Sequence, residues 1–443
     1  MASLPVPHDR ARLVLAWLVV PHRALPAAAL LARTNEAPPH LGAGSKKTPA
    51  RSAGAKSSRG SYVLSKRSHQ ARPSGTGDCM TIAELVTLTG QRRPFVALAA
   101  TDRPVEVHVG AQSVRIAAGD ASVSLGWQRQ GGGALLTGAL LDPRADMLLL
   151  AACEALFGSF PELTHVALAP DLAPAAVAGL ITHGPAQLVD GLPRIEPDLL
   201  WQMSALWLPG SGGVFPQRLV TENGIRHPRR PPMRDGLLYA RSIPWLGQSI
   251  TFETADPERH LPAFHRWMND PRVAEIWEET GDLAQHRAYL EERRADPHVV
   301  PVIGSFGGVP FGYFELYWAR ENRLGPHYEA QDYDRGWHVL VGEEAFRGKA
   351  YISAWLPSLM HFMFLDDPRT QRIVGEPRAT HAQQIRNLDR SGFAKVKHVD
   401  FSHKRALLVM LLRERFFGDR LWQPDFDATA QPVLPVAAQA VPA

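Results

Sequence analysis

From residue 80 onward, short runs of alternating apolar and polar positions give way to longer runs of helical period. Val105–Val109, 114–117 and 123–127 alternate with period two between Gly, Asp and Gln, which predicts hairpin strands. Residues 147–157 predict a helix, 164–169 a strand, and Pro174–Thr182 an Ala-rich helix. Residues 80–208 therefore read as a small α+β domain. The stretch 209–247 reads as a connector: Gly-rich at 210–213, then basic and extended through His227-Pro-Arg-Arg-Pro-Pro. A plain spacer is one reading of it, and an arm bringing Arg near an anionic ligand is the other.

The texture then changes. Strands are predicted at 248–253, Val299–Phe306, 311–318, 337–341, 372–376, 395–401 and 406–412. Helices are predicted at 258–269, Pro271–Trp277, 283–293, 350–365 and 381–391, the last ending at Gly392. The order from 248 to 420 is strand, helices, three strands, helix, strand, helix, two strands. The fold class is α+β, a mixed sheet flanked by helices, preceded by the smaller domain. The remainder, 421–443, reads as a Pro/Ala-rich tail.

Charge divides the chain. Of 48 Lys/Arg and 44 Asp/Glu, residues 1–79 hold twelve basic and three acidic ones. The rest is mildly acidic and gives no reason to expect nucleic acid. Residues 13–20 form a short apolar run after Arg10 and Arg12, like a poor signal peptide, broken by Pro21-His22-Arg23. Residues 34–77 lack the apolar side chains that offset ordering entropy and read as disordered. Met80 reads as the start of globular sequence, and 1–79 as a removable leader or a mispredicted extension. No apolar run approaches the roughly 18 residues of a membrane helix. Cys79 and Cys153 are too few for a disulfide framework or a Cys-rich metal site. His165 and His183 are isolated, so no metal is expected.

The strongest local signal is Gly336-Trp-His-Val-Leu-Val-Gly342, then Arg347-Gly-Lys-Ala350, then a long helix. A strand, a basic turn and a helix start make an anion site, because first-turn N–H groups point outward and the dipole adds positive potential. Gly348 lets a pyrophosphate approach the backbone. A basic turn before a core helix is the plainer reading.

Strand, Arg-Gly-Lys-Ala, helix, strand, helix and Asn387-x-x-x-Ser-Gly-Phe393 together resemble the GCN5-related N-acetyltransferase fold. Ala345 stands where that pattern has Gln or Arg. A narrower resemblance covers about 225–418. Its blocks are 265–273 with Trp277, 337–342 with 346–349, 365–370, 376–378 and 402–405. They resemble the siderophore-biosynthesis acyltransferases that acylate an N-hydroxylated amine, such as the aerobactin-type N6-hydroxylysine acetyltransferases and the alcaligin and mycobactin pathway enzymes.

The resemblance implies an acyl-CoA co-substrate, acetyl-CoA first, and a small hydroxylated amine that becomes a hydroxamate. It implies a cytoplasmic setting with siderophore-pathway enzymes as partners, and no membrane. His338 becomes the base; its histidine pKa near 6.5 suits that. A backbone N–H near Val339 or Leu340 meets the oxyanion. Val339, Leu340, Val341, Arg347, Gly348, Lys349 and Ala350 hold the coenzyme. Trp267 and Trp277 wall the substrate pocket, or pack in the core. Glu315 orients a substrate ammonium, or is merely solvated. Arg378 meets a carboxylate or a phosphate. The related enzymes show an Asp after the Glu-Pro block, whereas this chain has Thr380-His381. Either His381 takes an acid or orienting role, or the base works alone, or the protein is impaired. Two other readings stand beside this one: an acetyltransferase for a protein terminus or aminoglycoside, and a non-catalytic CoA-binding protein.

Overall fold

The computed structural model describes residues 94–210 and 213–424. The basic extension, Cys79, Met80 and the tail beyond 424 lie outside them. The described residues belong to one compact unit.

Among the described residues, the first sheet has eight strands. These are β1 (Phe95–Ala97), β2 (Val105–Val109), β3 (Ser113–Ala118), β4 (Ala121–Gln130), β5 (Gly133–Thr137), β6 (Val166–Leu168), β7 (Ala186–Val189) and β8 (Leu192–Ile195). Helix α1 (Ala145–Ser159) joins β5 to β6, α2 (Pro174–Thr182) joins β6 to β7, and α3 (Pro197–Leu200) follows β8. The spatial order is β1-β2-β3-β4-β5-β6-β8-β7, with β5 and β6 parallel.

A two-stranded hairpin follows, β9 (Leu219–Glu222) and β10 (Ile225–Pro228). It falls inside the stretch read as a connector. Asn223 and Gly224 both have positive φ, 50° and 78°. An Asn-Gly pair accepts that geometry at little steric cost and closes a two-residue hairpin. The same stretch also holds the first strand of the second sheet.

That sheet comprises β11 (Leu237–Ile243), β12 (Gln248–Thr254), β13 (Val299–Phe306), β14 (Val309–Trp318), β15 (Arg335–Val341), β16 (Arg372–Gly375), β17 (Ala394–Asp400) and β18 (Arg405–Leu412). Helices α4 (Pro257–Met268), α5 (Pro271–Trp277) and α6 (Leu283–Ala295) lie between β12 and β13. Helix α7 (Lys349–Asp366) joins β15 to β16, α8 (Ala382–Arg390) joins β16 to β17, and α9 (Arg413–Gly418) ends the array. The order, β11-β12-β13-β14-β15-β16-β18-β17 with β15 and β16 parallel, repeats that of the first sheet. The βαβαββ half of each sheet has the same connections.

Local chemistry explains the helix starts. Asp256, Asp270 and Asp282 each accept a backbone N–H at a helix start, and Pro257 and Pro271 follow the first two. An Asp cap satisfies one orphan donor, and Pro at the first helical position lacks a donor anyway.

The two sheets share one continuous core, in which α1 and α7 are almost wholly apolar and buried. Polar groups pin the halves together. His361 of α7 pairs with the Tyr239 hydroxyl at 3.0 Å and the Trp201 carbonyl at 2.6 Å. Ser242 of β11 donates to the Val96 carbonyl at 2.6 Å. Trp422, assigned to the tail by sequence, is fully buried and stacks on Trp201 at 5.0 Å. Its carbonyl accepts a hydrogen bond from Arg241 at 2.7 Å. Among the described residues, no helix is long and apolar enough to cross a membrane.

Because Trp422 fills the seam between the halves, Trp422→Ala should cost about 3–5 kcal/mol, the usual range for emptying a buried aromatic site. Urea unfolding measures this, and an unchanged midpoint would show that the seam does not depend on it.

Candidate active site

The site begins with a strand register. β14 and β15 pair antiparallel, with Glu315 directly opposite His338. Side chains two apart on a strand share a face, so Tyr313, Glu315 and Tyr317 lie on the face that His338 occupies. That face carries two satellite cores. One contains Phe264, Trp267, Leu290 and Tyr313; the other contains Tyr317, Val374, Val399 and Leu408. His338 sits between them, half-buried, where apolar packing on either side leaves room for polar groups.

Two carboxylates hold the imidazole. Glu315 Oε2 is 2.9 Å from Nδ1, and Glu376 Oε1 is 3.3 Å from Nε2. Both acids are about 5% exposed, so both need partners. Glu315 Oε1 accepts hydrogen bonds from Tyr289 at 2.6 Å and Tyr313 at 3.2 Å. Glu376, just past the end of β16, accepts from the Tyr317 hydroxyl at 2.8 Å and from Arg323 at 3.1 Å. Lys404 donates to the Glu376 carbonyl at 2.9 Å and stands 3.7 Å from its carboxylate. Arg323 also lies 3.4 Å from His338 Nε2. The Trp277 ring meets the imidazole edge-on at 6.4 Å.

The electrostatics follow from this arrangement. Burial disfavours the imidazolium, but hydrogen bonds and charge from Glu315 and Glu376 outweigh it and raise the His338 pKa. Burial works against the Glu376 carboxylate too. His338, Lys404 and Arg323 more than compensate and hold it far below the usual carboxylate range. Glu315 is lowered by the same balance, with His338 and Tyr289 as the main counterweights to burial. Burial pushes Lys404 down, against the pull of Glu376.

Beside His338 the sheet splays. β15 pairs with β16 only through Arg335 and Gly336. The Gly342 N–H donates to the Phe311 carbonyl at 2.9 Å. Antiparallel alternation then turns the N–H groups of Leu340 and His338 toward β14, and those of Val339 and Val341 toward the opening.

The turn after β15 leads into α7. Gly348 stands before the helix with φ 96° and ψ 177°, a conformation costly for other residues, and no side chain caps it. The first-turn N–H groups of α7 are thus uncapped by protein side chains. Arg347 donates to the carbonyls of Val341 at 3.1 Å and Gly342 at 2.8 Å, while its buried Nη1 has no hydrogen-bond partner. Lys349 is exposed, and Ala350 is half-buried.

Several candidate residues lie elsewhere than sequence suggested. Glu315 is buried under two tyrosines and faces His338, not an exposed surface. Trp267 is 2% exposed and packs in the core beneath Gly342, where a Cβ would come within 2.2 Å of its ring. Its indole N–H donates to Glu343 at 2.8 Å. Arg378 lies 3.6 Å from Glu278, and its backbone bridges to Ala406. His381 is exposed, and its Nδ1 accepts the Gln384 N–H at 3.1 Å, capping α8. The acid at Nε2 is Glu376, which sequence placed only within a motif block. Lys404 likewise lay only within a block, and Tyr289, Tyr317 and Arg323 were missed. The alternation Tyr313-x-Glu315-x-Tyr317 was a usable signal for part of this set.

Residues 256–401 match the family model for an acetyltransferase (GNAT) domain. The aminoglycoside acetyltransferase AAC(6')-Ib, solved in complex with coenzyme A, is 23% identical with a TM-score of 0.36. That match covers 39% of this chain and 99% of the aminoglycoside enzyme. By the family model, residues 256–401 carry the GNAT acetyltransferase fold. The N(6)-hydroxylysine O-acetyltransferase of Escherichia coli is 40% identical over 227 residues, 51% of this chain and 72% of that protein. The N(5)-hydroxyornithine:cis-anhydromevalonyl coenzyme A-N(5)-transacylase of Beauveria bassiana is 48% identical over 195 residues, 43% of each. The chain therefore belongs to the siderophore N-acyltransferase family. It spans less than half the length of the Beauveria relative and of a Stachybotrys chartarum putative O-acetyltransferase that it also matches.

Each carboxylate raises the His338 pKa, so Glu315→Gln and Glu376→Gln should each move its imidazole titration to lower pH. NMR titration of the ring protons reads this directly; an unmoved or raised midpoint in both variants would contradict the electrostatic account.

Proposed function

We propose that the protein transfers an acyl group from acyl-CoA, acetyl-CoA first, to the nitrogen of an N-hydroxylated amine. The product is a hydroxamate for siderophore assembly. The amine is N6-hydroxylysine or a hydroxylated ornithine or diamine. The observation that carries this reading is the pinned His338 beside a splayed strand pair.

In the proposed reaction the hydroxylamine nitrogen attacks the thioester carbonyl. The C–N bond forms, the C–S bond breaks, and the nitrogen's proton leaves through His338 to the departing thiolate. Glu315 fixes the proton on Nδ1, which makes Nε2 the basic atom. Nε2 has two neighbours suited to its two states. Arg323 donates to it when it is unprotonated, and Glu376 accepts from it when it is protonated. A histidine base whose pKa is raised by its carboxylate partners still favours a neutral nucleophile. An alkylammonium with a pKa of about 10.4 would hold its proton against it. This balance supports a hydroxylated amine over a plain one.

Val339 and Val341 are the candidate backbone donors to the oxyanion, since their N–H groups face the opening. A donor aimed at developing charge is worth about 3 kcal/mol elsewhere. Gly348, Lys349, Ala350 and the partnerless Nη1 of Arg347 suit a pyrophosphate at the start of α7. Trp277 suits a substrate wall. His381 and Trp267 are given structural roles. We place the reaction in the cytoplasm, where acyl-CoA and the siderophore-pathway enzymes are available.

Thiol release is assayed with acetyl-CoA and N6-hydroxylysine or N5-hydroxyornithine, against lysine and ornithine. Turnover with the hydroxylated amines is expected, and turnover with plain amines alone would sink the reading. His338→Ala should lose roughly 100-fold or more in kcat with CoA affinity kept, as removal of a general base does.

A further inference from the structure

A second cluster of titratable groups lies outside this site, on the arm that sequence left between two readings. His227 stands on β10 and Glu222 on β9. The register pairs His227 with Val220, which puts His227 diagonal to Glu222 on the same hairpin face. His298 enters from the turn between α6 and β13. One ligand atom from each of Glu222, His227 and His298 lies within 4.8 Å of the others. Glu222 Oε2 is 3.2 Å from His298 Nε2 and 3.8 Å from His227 Nε2.

Both imidazoles are held as metal-ligating histidines are held. His227 Nδ1 is 2.9 Å from the Pro228 carbonyl, and His298 Nδ1 is 2.9 Å from Glu321 Oε1. Donating through Nδ1 leaves Nε2 as a lone pair on each ring, and such outer hydrogen bonds raise ligand basicity. Glu321 is itself fixed by Arg230, at 2.5 and 2.6 Å, and Arg230 lies over the Trp318 ring. His227 is 1% exposed, and its Nε2 has no hydrogen-bond partner. A buried nitrogen with nothing to bond costs free energy unless something fills the place.

We propose that Glu222, His227 and His298 form a divalent metal site, with Zn2+ the ion best matched to two imidazoles and a carboxylate. Ligands at about 2.0–2.2 Å in a tetrahedron stand roughly 3.3–3.5 Å apart. Glu222 Oε2 already stands close to that spacing from His298 Nε2, at 3.2 Å, and at 3.8 Å from His227 Nε2 it lies a few tenths of an ångström outside it. Glu222 lies on the open side, so a water completes the fourth position. The ion would staple the β9–β10 hairpin to the turn that precedes β13. The proposal is independent of the acyltransfer reading.

The test uses the full chain, stripped by a chelator and titrated with Zn2+ against a chelating dye. One Zn2+ per chain is expected in the parent, with affinity reduced roughly tenfold or more in His298→Gln and in Glu222→Gln. Co2+ should give four-coordinate visible bands that both variants lose. Glu222 is exposed, so its variant keeps the test valid if the histidine variants fold poorly. Absence of binding in the parent, or binding abolished by His338→Ala but kept in His298→Gln and Glu222→Gln, would overturn the assignment.

Discussion

The register between β14 and β15 is the constraint on which the rest depends. It places Glu315 across from His338 and puts the hydroxyls of Tyr313 and Tyr317 on the same face. A slip of one residue would turn His338 into the shared core and bring Trp337 onto the polar face. The neighbouring strand supplies the complement. β16 pairs with β15 for only two residues and then ends, which delivers Glu376 to the far side of the imidazole and leaves an opening beside Val339 and Val341. One geometric event therefore creates the acid partner and the space together.

The same topology occurs twice in the chain, but the chemistry occurs once. In the first sheet, the turn from β5 to α1 carries Asp142 and Arg144, which pair with each other at 3.2 Å. Asp146 in the first turn of α1 brings further negative charge to that helix start. The turn before α7 instead has Arg347, Gly348 and Lys349. The first half has become a packing partner: α1 is almost fully apolar, and its buried Glu154 accepts the Trp207 indole N–H at 3.0 Å. Burial drives that acid's pKa up to about 8, so at neutral pH it is largely uncharged and tolerable in the core.

Much of this was legible in the sequence because the dominant signals were local. Apolar period located β13 through β18 and α4 through α8, β13 and α5 at the observed bounds and the rest within two residues of them. His338, Gly348 and the helix start were legible because strand, turn and helix follow one another directly. Legibility failed where contacts join distant segments. Glu376 was visible as part of a block, but its partner Arg323 follows β14, Lys404 sits between β17 and β18, and Tyr289 lies on α6. The hairpin β9–β10 was obscured by its proline-rich flank, although Asn223-Gly224 marks its turn. The Glu222, His227 and His298 cluster has no ligand spacing along the chain at all. It exists only after the arm has folded back.

The hold that Lys404 has on Glu376 sets a clock. During synthesis the chain emerges from its N-terminus, and domains fold as their parts become available. His338 and Glu376 leave the ribosome well before the hairpin that carries Lys404. Until that hairpin closes, Glu376 lacks one of the cations that keep it ionised, and β16 lacks its antiparallel neighbour β18. The carboxylate beside His338 therefore gains its full set of cation partners only when the last two strands of the sheet are in place.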